Sequence, residues 1–519
     1  MRNAAETVAD KAADMAAARF DVQALRAIEA RATRRLGDGF ELMQRAGLAA
    51  WREVLRRWPH AQRLTVVCGP GNNGGDGYML ARLAHESGRD VRVVRAAAHE
   101  ATGALARRAE AGYRDAGGGV VAFDGGLGCG ADAGHVVVDA VLGIGLSRAP
   151  DAVVTALVDA INGCRCPVLA LDVPTGVGAD TGATPGAAVR ANACIEFIAP
   201  KAGLRTGAAL DCTGPLSLAA LGVEADDFAG IEPVAVALRA PDLHAAWPPR
   251  SRDSHKGRHG RVACIGGDSG HGGAILMTAE AALRSGAGLV DVITRPGHVA
   301  AVLARRPEVM AHGADTVTDT SRTLLERADV LAIGPGLGQG DWGRGWFDAA
   351  LAAGHRHVID ADALHLLAHR AGPAPADAIL TPHPGEAAAL LGGATSDVQS
   401  DRLRAVRQLA ERYQCAVVLK GAGTVVGAPC RVTRLVEAGN PGMAVGGMGD
   451  VLTGVIASLC AQGLEPFDAA CTGALLHALA GDRAAHEGGP RGLLPSDLMP
   501  WLRRLANDGD VAWNRGSTN

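Results

Sequence analysis

Glycine-rich turns carrying asparagine or aspartate, each placed after an apolar run, are the residues of this sequence best suited to chemistry. The first is Gly69-Pro70-Gly71-Asn72-Asn73-Gly74-Gly75-Asp76-Gly77, which follows residues 64–68 and leads into a helix expected to begin near Tyr78. Glycines let backbone amides approach a phosphate at a helix N-terminus, and ligands of α/β sheets bind beyond the carboxyl ends of the strands. Asn72, Asn73 and Asp76 exceed what a turn needs, and their oxygens suit hydroxyl groups or a hard cation. Two more strand ends supply carboxylates: Asp139-Ala140-Val141-Leu142-Gly143-Ile144-Gly145-Leu146-Ser147-Arg148-Ala149 and Leu171-Asp172-Val173-Pro174-Thr175-Gly176. Either aspartate alone could cap a helix or a turn. Three such ends in one stretch of chain point to a shared crevice.

A second set of motifs opens with Ser254-His255-Lys256-Gly257 and Arg261-Val262-Ala263-Cys264-Ile265-Gly266-Gly267. It continues through Ile333-Gly334-Pro335-Gly336-Leu337-Gly338, Asp360-Ala361-Asp362 and Thr381-Pro382-His383-Pro384-Gly385-Glu386. A lone histidine is more often structural, but prolines on both sides restrict the His383 backbone and can aim its ring into a cleft. Lys420-Gly421-Ala422-Gly423-Thr424 ends another apolar run. The most specific segment is Gly439-Asn440-Pro441-Gly442-Met443-Ala444-Val445-Gly446-Gly447-Met448-Gly449-Asp450, leading into a helix expected over 451–462. Glycine amides at a helix start form an anion hole, and a carboxylate at its lip can deprotonate an attacking hydroxyl. This arrangement resembles the signature of ribokinase-like phosphotransferases.

The elements that must hold these residues are short apolar runs, at 64–68, 136–141, 168–171, 262–265, 330–333, 358–359 and 416–419, alternating with Ala-rich helical stretches. Continuous apolar runs imply parallel strands covered on both faces, hence an α/β fold. A chain of 519 residues exceeds the usual size of one core. Pro233, Pro241, Pro248 and Pro249 break the rhythm between the two sets of motifs. The expected division is a domain over 1–228, a linker over 229–249 and a second domain over 250–519.

Composition narrows the partners. An aromatic fraction of 3% leaves few rings to stack on bases, and a net charge of −4 gives no basic field for nucleic acid or anionic membranes. Small molecules are the expected partners. The eleven cysteines show no CxxC pair and no Cys/His group at zinc-ligand spacing, so they read as reduced, mostly buried thiols. Charges scattered through the Ala-rich start exclude a secretory h-region, and no apolar run has transmembrane length. A soluble cytoplasmic protein is expected.

From about Phe20 to Gly222 the sequence resembles the NAD(P)H-hydrate epimerase family, through the Gly71 to Gly77 loop, the Asp139 to Arg148 stretch, the Asp172 to Gly176 turn and Leu42-Met43-Gln44-Arg45-Ala46-Gly47. The resemblance implies a Rossmann-like three-layer domain with a parallel sheet. It implies that Asn72, Asn73, Gly74, Gly75, Asp76, and Gly143, Ile144, Gly145, Leu146, Ser147, Arg148, Ala149 contact a hydrated nicotinamide nucleotide. Asn73, Asp139 and Thr175 would hold K+, and Asp172 would act as acid/base. The family usually has Ser at the position of Thr175, and Ala191-Asn192-Ala193-Cys194 lacks the Asp and Thr common there, which bears on rate rather than class.

From about Arg250 to Leu505 the sequence resembles the ADP/ATP-dependent NAD(P)H-hydrate dehydratase family, of ribokinase-like fold, on the His255, Gly334, Thr381, Leu419 and Gly439 motifs standing in order. The resemblance implies hydrate contacts from Ala274, Gly336, His383 and Asp450. Adenine-nucleotide contacts would come from Lys420 to Thr424 and Asn440 to Gly449. The substrates would be NADHX and NADPHX, the hydrates of NADH and NADPH at ring C6, with ADP as co-substrate and Mg2+ on its phosphates. A homo-oligomer is expected. One rival is a small-alcohol kinase of the ribokinase superfamily fused to a nucleotide-binding accessory domain, which leaves the Thr381 to Glu386 motif beside His255-Lys256-Gly257 unexplained. A decayed nucleotide-sensing module is the other, and Asn73, Asp76, Asp139 and Asp172 standing together speak against decay.

Overall fold

The computed structural model describes residues 15–129, 134–146, 148–247, 249–370, 372–375 and 377–507. Ser147, expected in the first crevice, lies outside the described residues. The chain divides into two units, Met1–Ala235 and Val236–Asn519.

The first unit is built on seven strands: β1 (Arg63–Cys68), β2 (Asp90–Arg95), β3 (Val120–Ala122), β4 (His135–Ala140), β5 (Val168–Leu171), β6 (Ala193–Phe197) and β7 (Leu216–Ala219). They lie in the order β3-β2-β1-β4-β5-β6-β7, all parallel. Successive valines alternate between two cores. Val66, Val138 and Leu169 pack on one side of the sheet, and Val67, Val137 and Val168 on the other. Burial on both faces explains why these runs read as continuously apolar. The order reverses between β1 and β4, and it is at such a switch point that an α/β sheet opens a crevice beyond its carboxyl ends.

Helix α1 (Val22–Leu36) and helix α2 (Gly39–Arg57) cover this unit, and helix α3 starts at Asn72 and runs to Glu86, six residues earlier than expected. The glycine run is therefore the first turns of the helix rather than a free loop. Close packing is the reason. A Cβ on Gly74 would stand 2.0 Å from the Gly69 carbonyl oxygen, and one on Gly77 2.6 Å from Ala140 Cβ.

The second unit has ten strands: β8 (Ala235–Leu238), β9 (Arg261–Ile265), β10 (Leu289–Thr294), β11 (Met310–Gly313), β12 (Val330–Ile333), β13 (Arg356–Ile359), β14 (Ile379–Leu380), β15 (Ala416–Leu419), β16 (Thr424–Gly427) and β17 (Thr433–Val436). Their order is β8-β17-β16-β15-β14-β13-β12-β9-β10-β11. Strands β9 to β15 are parallel, β16 is antiparallel to β15, and β17 is antiparallel to β16. The switch point falls between β9 and β12. Backbones approach closely there: Gly334, with φ +125°, leaves no room for a side chain because a Cβ would meet the Asp360 carbonyl oxygen at 1.8 Å. The main core packs this sheet against helix α4 (Gly272–Arg284), helix α5 (Met448–Ala461) and helix α6 (Pro466–Gly488). No helix among the described residues is long and apolar enough to cross a membrane.

Candidate active sites

At the switch point of the first unit, a cavity of about 460 Å³ is lined by Asn72, Asn73, Asp76, Gly143, Ile144, Gly145 and Asp172. Seven of the residues expected in a substrate crevice therefore share one wall. Arg148 and Ala149 are exposed beyond it, and Gly74 and Gly75 are buried in the helix start behind it.

Asp172 directly follows β5 with φ +64°, a left-handed conformation that aspartate tolerates better than most side chains. This turn sends its carboxylate into the cavity, where Oδ1 meets Lys201 Nζ at 2.5 Å and accepts the Phe197 amide at 3.2 Å. Lys201 is 1% exposed, and its Nζ also donates to the Phe197 carbonyl at 2.7 Å. Its backbone amide donates to buried Glu196 at 2.7 Å, and Glu196 pairs with Arg205. Sequence reasoning missed Lys201 because nothing local marks a partner twenty-nine residues from Asp172. It missed Glu29 too, which reaches the same cavity from α1.

Three carboxylates thus face one lysine. The Asp76 carboxyl is pushed well above the usual range, first by burial and then by Asp172 and Glu29. Glu29 is raised for the same reasons, burial first and Asp172 second.

Behind the cavity, Thr175 donates twice to Asp139, from its amide to Oδ2 at 2.8 Å and from Oγ1 to Oδ1 at 2.7 Å. Thr175 Oγ1 in turn accepts the Leu142 amide at 3.0 Å. Burial raises the Asp139 carboxyl to about 6. Asn73 is buried with both ends of its carboxamide lacking a hydrogen-bond partner. It faces Gly143: a Cβ there would lie 3.4 Å from Asn73 Cγ and 3.1 Å from Asp172 Oδ2.

Replacing Lys201 with methionine tests the buried pair. The variant should lose about 3 kcal/mol in urea unfolding, since removing one partner strands the other in a poorly solvated place. A loss below about 0.5 kcal/mol would mean that solvent already screens Asp172.

In the second unit, Asp450 lies in the first turn of α5, which begins at Met448, and its carbonyl accepts the Thr278 hydroxyl at 3.0 Å. Burial raises the Asp450 carboxyl to about 6, with Asp360 adding to the rise and Lys420 opposing it. Lys420 Nζ meets Asp360 Oδ1 at 2.6 Å and Glu386 Oε2 at 3.8 Å, while Thr453 Oγ1 donates to Asp360 Oδ2 at 2.7 Å. A Cβ on Gly449 would stand 3.1 Å from Lys420 Nζ. Lys420 is therefore the hub of a charged cluster beside Asp450 as well as the start of the Gly421-Ala422-Gly423 turn. Asp360 and Glu386 were visible as motif members, but their pairing with Lys420 depends on three strand ends meeting.

Gly336, after β12, and Ala274, in α4, stand close together, a Cβ on Gly336 falling 3.3 Å from Ala274 Cβ. His383 is exposed, and its Nδ1 accepts the amides of Gly385 and Glu386 at 3.0 and 3.2 Å, capping the helix Pro384–Leu391. Its Nε2 lies 3.4 Å from Glu386 Oε1. Asn440 Nδ2 donates to Asp482 Oδ1 at 2.9 Å and its Oδ1 accepts the Gly442 amide at 3.0 Å, which fixes the Pro441–Met443 turn. Ala444, Val445 and Gly446 are exposed, and Gly447 turns into the helix at φ +97°. Asp482, a helix residue forty-two positions away, carried no sequence signal.

Comparison with known proteins matches both units. Residues 39–203 match the family described as YjeF-related protein N-terminus, and residues 262–504 match NAD(P)H-hydrate dehydratase. The bifunctional NAD(P)H-hydrate repair enzyme Nnr of Coxiella burnetii is 47% identical over 469 residues, covering 90% of this chain and 95% of that protein. The Escherichia coli protein of the same name is 44% identical over 468 residues, 90% of each. A ribokinase-like superfamily protein of Enterococcus faecalis superposes with a TM-score of 0.50 at 31% identity, covering 53% of this chain and 96% of that one. With a parallel-sheet unit of each kind and this likeness along nearly its whole length, the chain belongs to the family of bifunctional NAD(P)H-hydrate repair enzymes.

Proposed function

We propose that the first unit interconverts the R and S epimers of NADHX and NADPHX, and that the second dehydrates the S epimer with ADP, releasing AMP and phosphate. The observation that carries this reading is a switch-point cavity in the first unit with Asp172 held against Lys201 in its lining, together with Asp450 at the start of α5 beside the Lys420 cluster in the second. The working boundaries are 1–228 and 250–519, joined through 229–249, in a soluble cytoplasmic homo-oligomer.

Inverting ring C6 requires the stereocentre to open and reclose while a proton moves on and off oxygen. Asp172, held by Lys201, is placed to take that proton, and Asp76, whose carboxyl burial and neighbouring carboxylates push well above the usual range, is placed to return one. The amides at the start of α3 would receive the nucleotide phosphates.

K+ fits the first unit. The orphaned Asn73 carboxamide, with Asp139 and the Thr175 hydroxyl, makes an oxygen set with a single carboxylate, which suits a weakly hydrated monovalent cation better than Mg2+. A bound cation would supply positive charge behind the phosphates and satisfy Asn73. Replacing K+ by a large organic cation should therefore slow epimerisation, and Asp139→Ala should mimic the loss in saturating K+. Indifference to K+ combined with an inactive Asp139→Ala variant would assign Asp139 to structure or substrate.

In the second unit Asp450 takes the proton of the C6 hydroxyl as it attacks the β-phosphorus of ADP. The Gly446 to Gly449 backbone steadies the transferred group. The resulting phosphate ester leaves as phosphate, pushed by the ring nitrogen, and loss of the C5 proton restores the double bond. Mg2+ would be held chiefly by the nucleotide phosphates, since no group of three carboxylates among the described residues converges as a cage. The epimerase half is tested without nucleotide: a single purified epimer should relax to the mixture of both on chiral analysis, and a rate no faster than in buffer would reject it.

A further inference from the structure

Away from the substrate cavity, the first unit gathers soft ligands at the opposite ends of its central strands. Cys129, His135 and Cys166 bring their ligand atoms to within 4.8 Å of one another. His135 is the first residue of β4 and Cys166 stands just before β5, so ring and thiol sit at the N-terminal ends of adjacent parallel strands. The substrate crevice opens at the C-terminal ends. Cys129 comes from the loop before β4, and its Sγ lies 3.9 Å from His135 Nε2. Cys164, which caps the helix Ala152–Gly163, hydrogen-bonds Cys129. His135 and Cys166 are buried, and Cys129 and Cys164 are half-buried. A cavity of about 500 Å³ is lined by Cys164 and Cys166.

We propose that Cys129, His135 and Cys166, with Cys164 as fourth donor, form a zinc site that ties the N-terminal ends of β4 and β5 to the loop preceding β4. Three sulfurs and one imidazole are the donor set of a closed structural zinc centre. Bonds of about 2.3 Å to sulfur and about 2.0 Å to nitrogen put tetrahedral ligand atoms about 3.5–3.8 Å apart, so Cys129, His135 and Cys166 have to tighten by about 1 Å on binding, and Cys164, outside that group of three, has to swing in to complete the tetrahedron. Thr65 Oγ1 sits 2.9 Å from His135 Nε2 and orients the ring; the ion takes over that nitrogen as the hydroxyl rotates away. The sequence conceals the site because its ligands come from separate segments with no CxxC spacing. Being at the N-terminal ends of the strands, opposite the substrate cavity, the ion takes no part in epimerisation.

The test uses the full chain, reduced and stripped with a chelator, then titrated with Co2+ as a spectroscopic probe. One equivalent should bring the visible bands of tetrahedral cobalt and a near-ultraviolet thiolate charge-transfer band, Zn2+ should bleach both, and Zn2+ should raise Tm. Cys129→Ser or Cys166→Ser should weaken Zn2+ binding by roughly 100-fold or more, since even indirect partners of metal ligands are worth 10–100-fold. Cys430→Ser, at an exposed cysteine, should change nothing. Cys164→Ser, half-buried, covers the case in which a buried variant fails to fold. Absence of a thiolate band in the wild-type chain, or its persistence in the Cys129→Ser/Cys166→Ser double variant, would overturn the site.

Discussion

Asp450→Asn should cut ADP-dependent recovery of reduced nicotinamide by about 10²–10⁴-fold, the usual cost of removing a general base. The substitution keeps the size of the side chain and removes only the proton acceptor at the start of α5. Its carboxyl sits at about 6, so the wild-type rate should fall as pH drops below that value and the base becomes protonated. Stability runs the other way. The folded value lies above the ordinary 3.8, so the group favours folding most at pH below that ordinary value, and the advantage is lost as pH rises to about 6. The asparagine variant lacks this decline, and at neutral pH it should unfold no more easily than the wild type. Rate loss accompanied by a lower Tm would mark a folding defect instead of a missing base.

Asp172→Asn should stop epimerisation, again by about 10²-fold or more, while dehydration of the S epimer proceeds at the wild-type rate. Asparagine is the informative substitution because it tolerates the left-handed backbone at φ +64° and can still accept from Lys201. With a mixture of epimers and ADP, the variant should consume the S fraction quickly and leave the R fraction to spontaneous conversion. Progress curves of wild type and variant separate only after that first phase. If both epimers are lost together, one site serves both reactions.

Much of this architecture is legible in the sequence because parallel strands buried on both faces leave unmistakable apolar runs. The runs at 64–68, 168–171, 262–265, 330–333 and 416–419 lie within a residue of β1, β5, β9, β12 and β15. Strand β2, Asp-Val-Arg-Val-Val-Arg, escapes because Arg92 and Arg95 interrupt its pattern; Arg95 is held by Glu110 and Arg92 by the Leu127 carbonyl. Glycine motifs reveal where backbones approach, but not what forces them together, so the start of α3 at Asn72 had to await the contacts of Gly74 and Gly77. The least legible layer is long-range pairing. Lys201 with Asp172, Lys420 with Asp360 and Glu386, and the thiols around His135 acquire meaning only when separate strand ends meet.

The most direct test of two coupled repair sites in one chain is to give the purified protein a mixture of both NADHX epimers and ADP, and to follow reduced-nicotinamide absorbance, AMP and phosphate together. Recovery of the whole hydrate pool as NADH, with one AMP and one phosphate released for each NADH formed, is the predicted result. Accumulation of a stable phosphorylated product without return of NADH would contradict it and make the second unit a small-alcohol kinase.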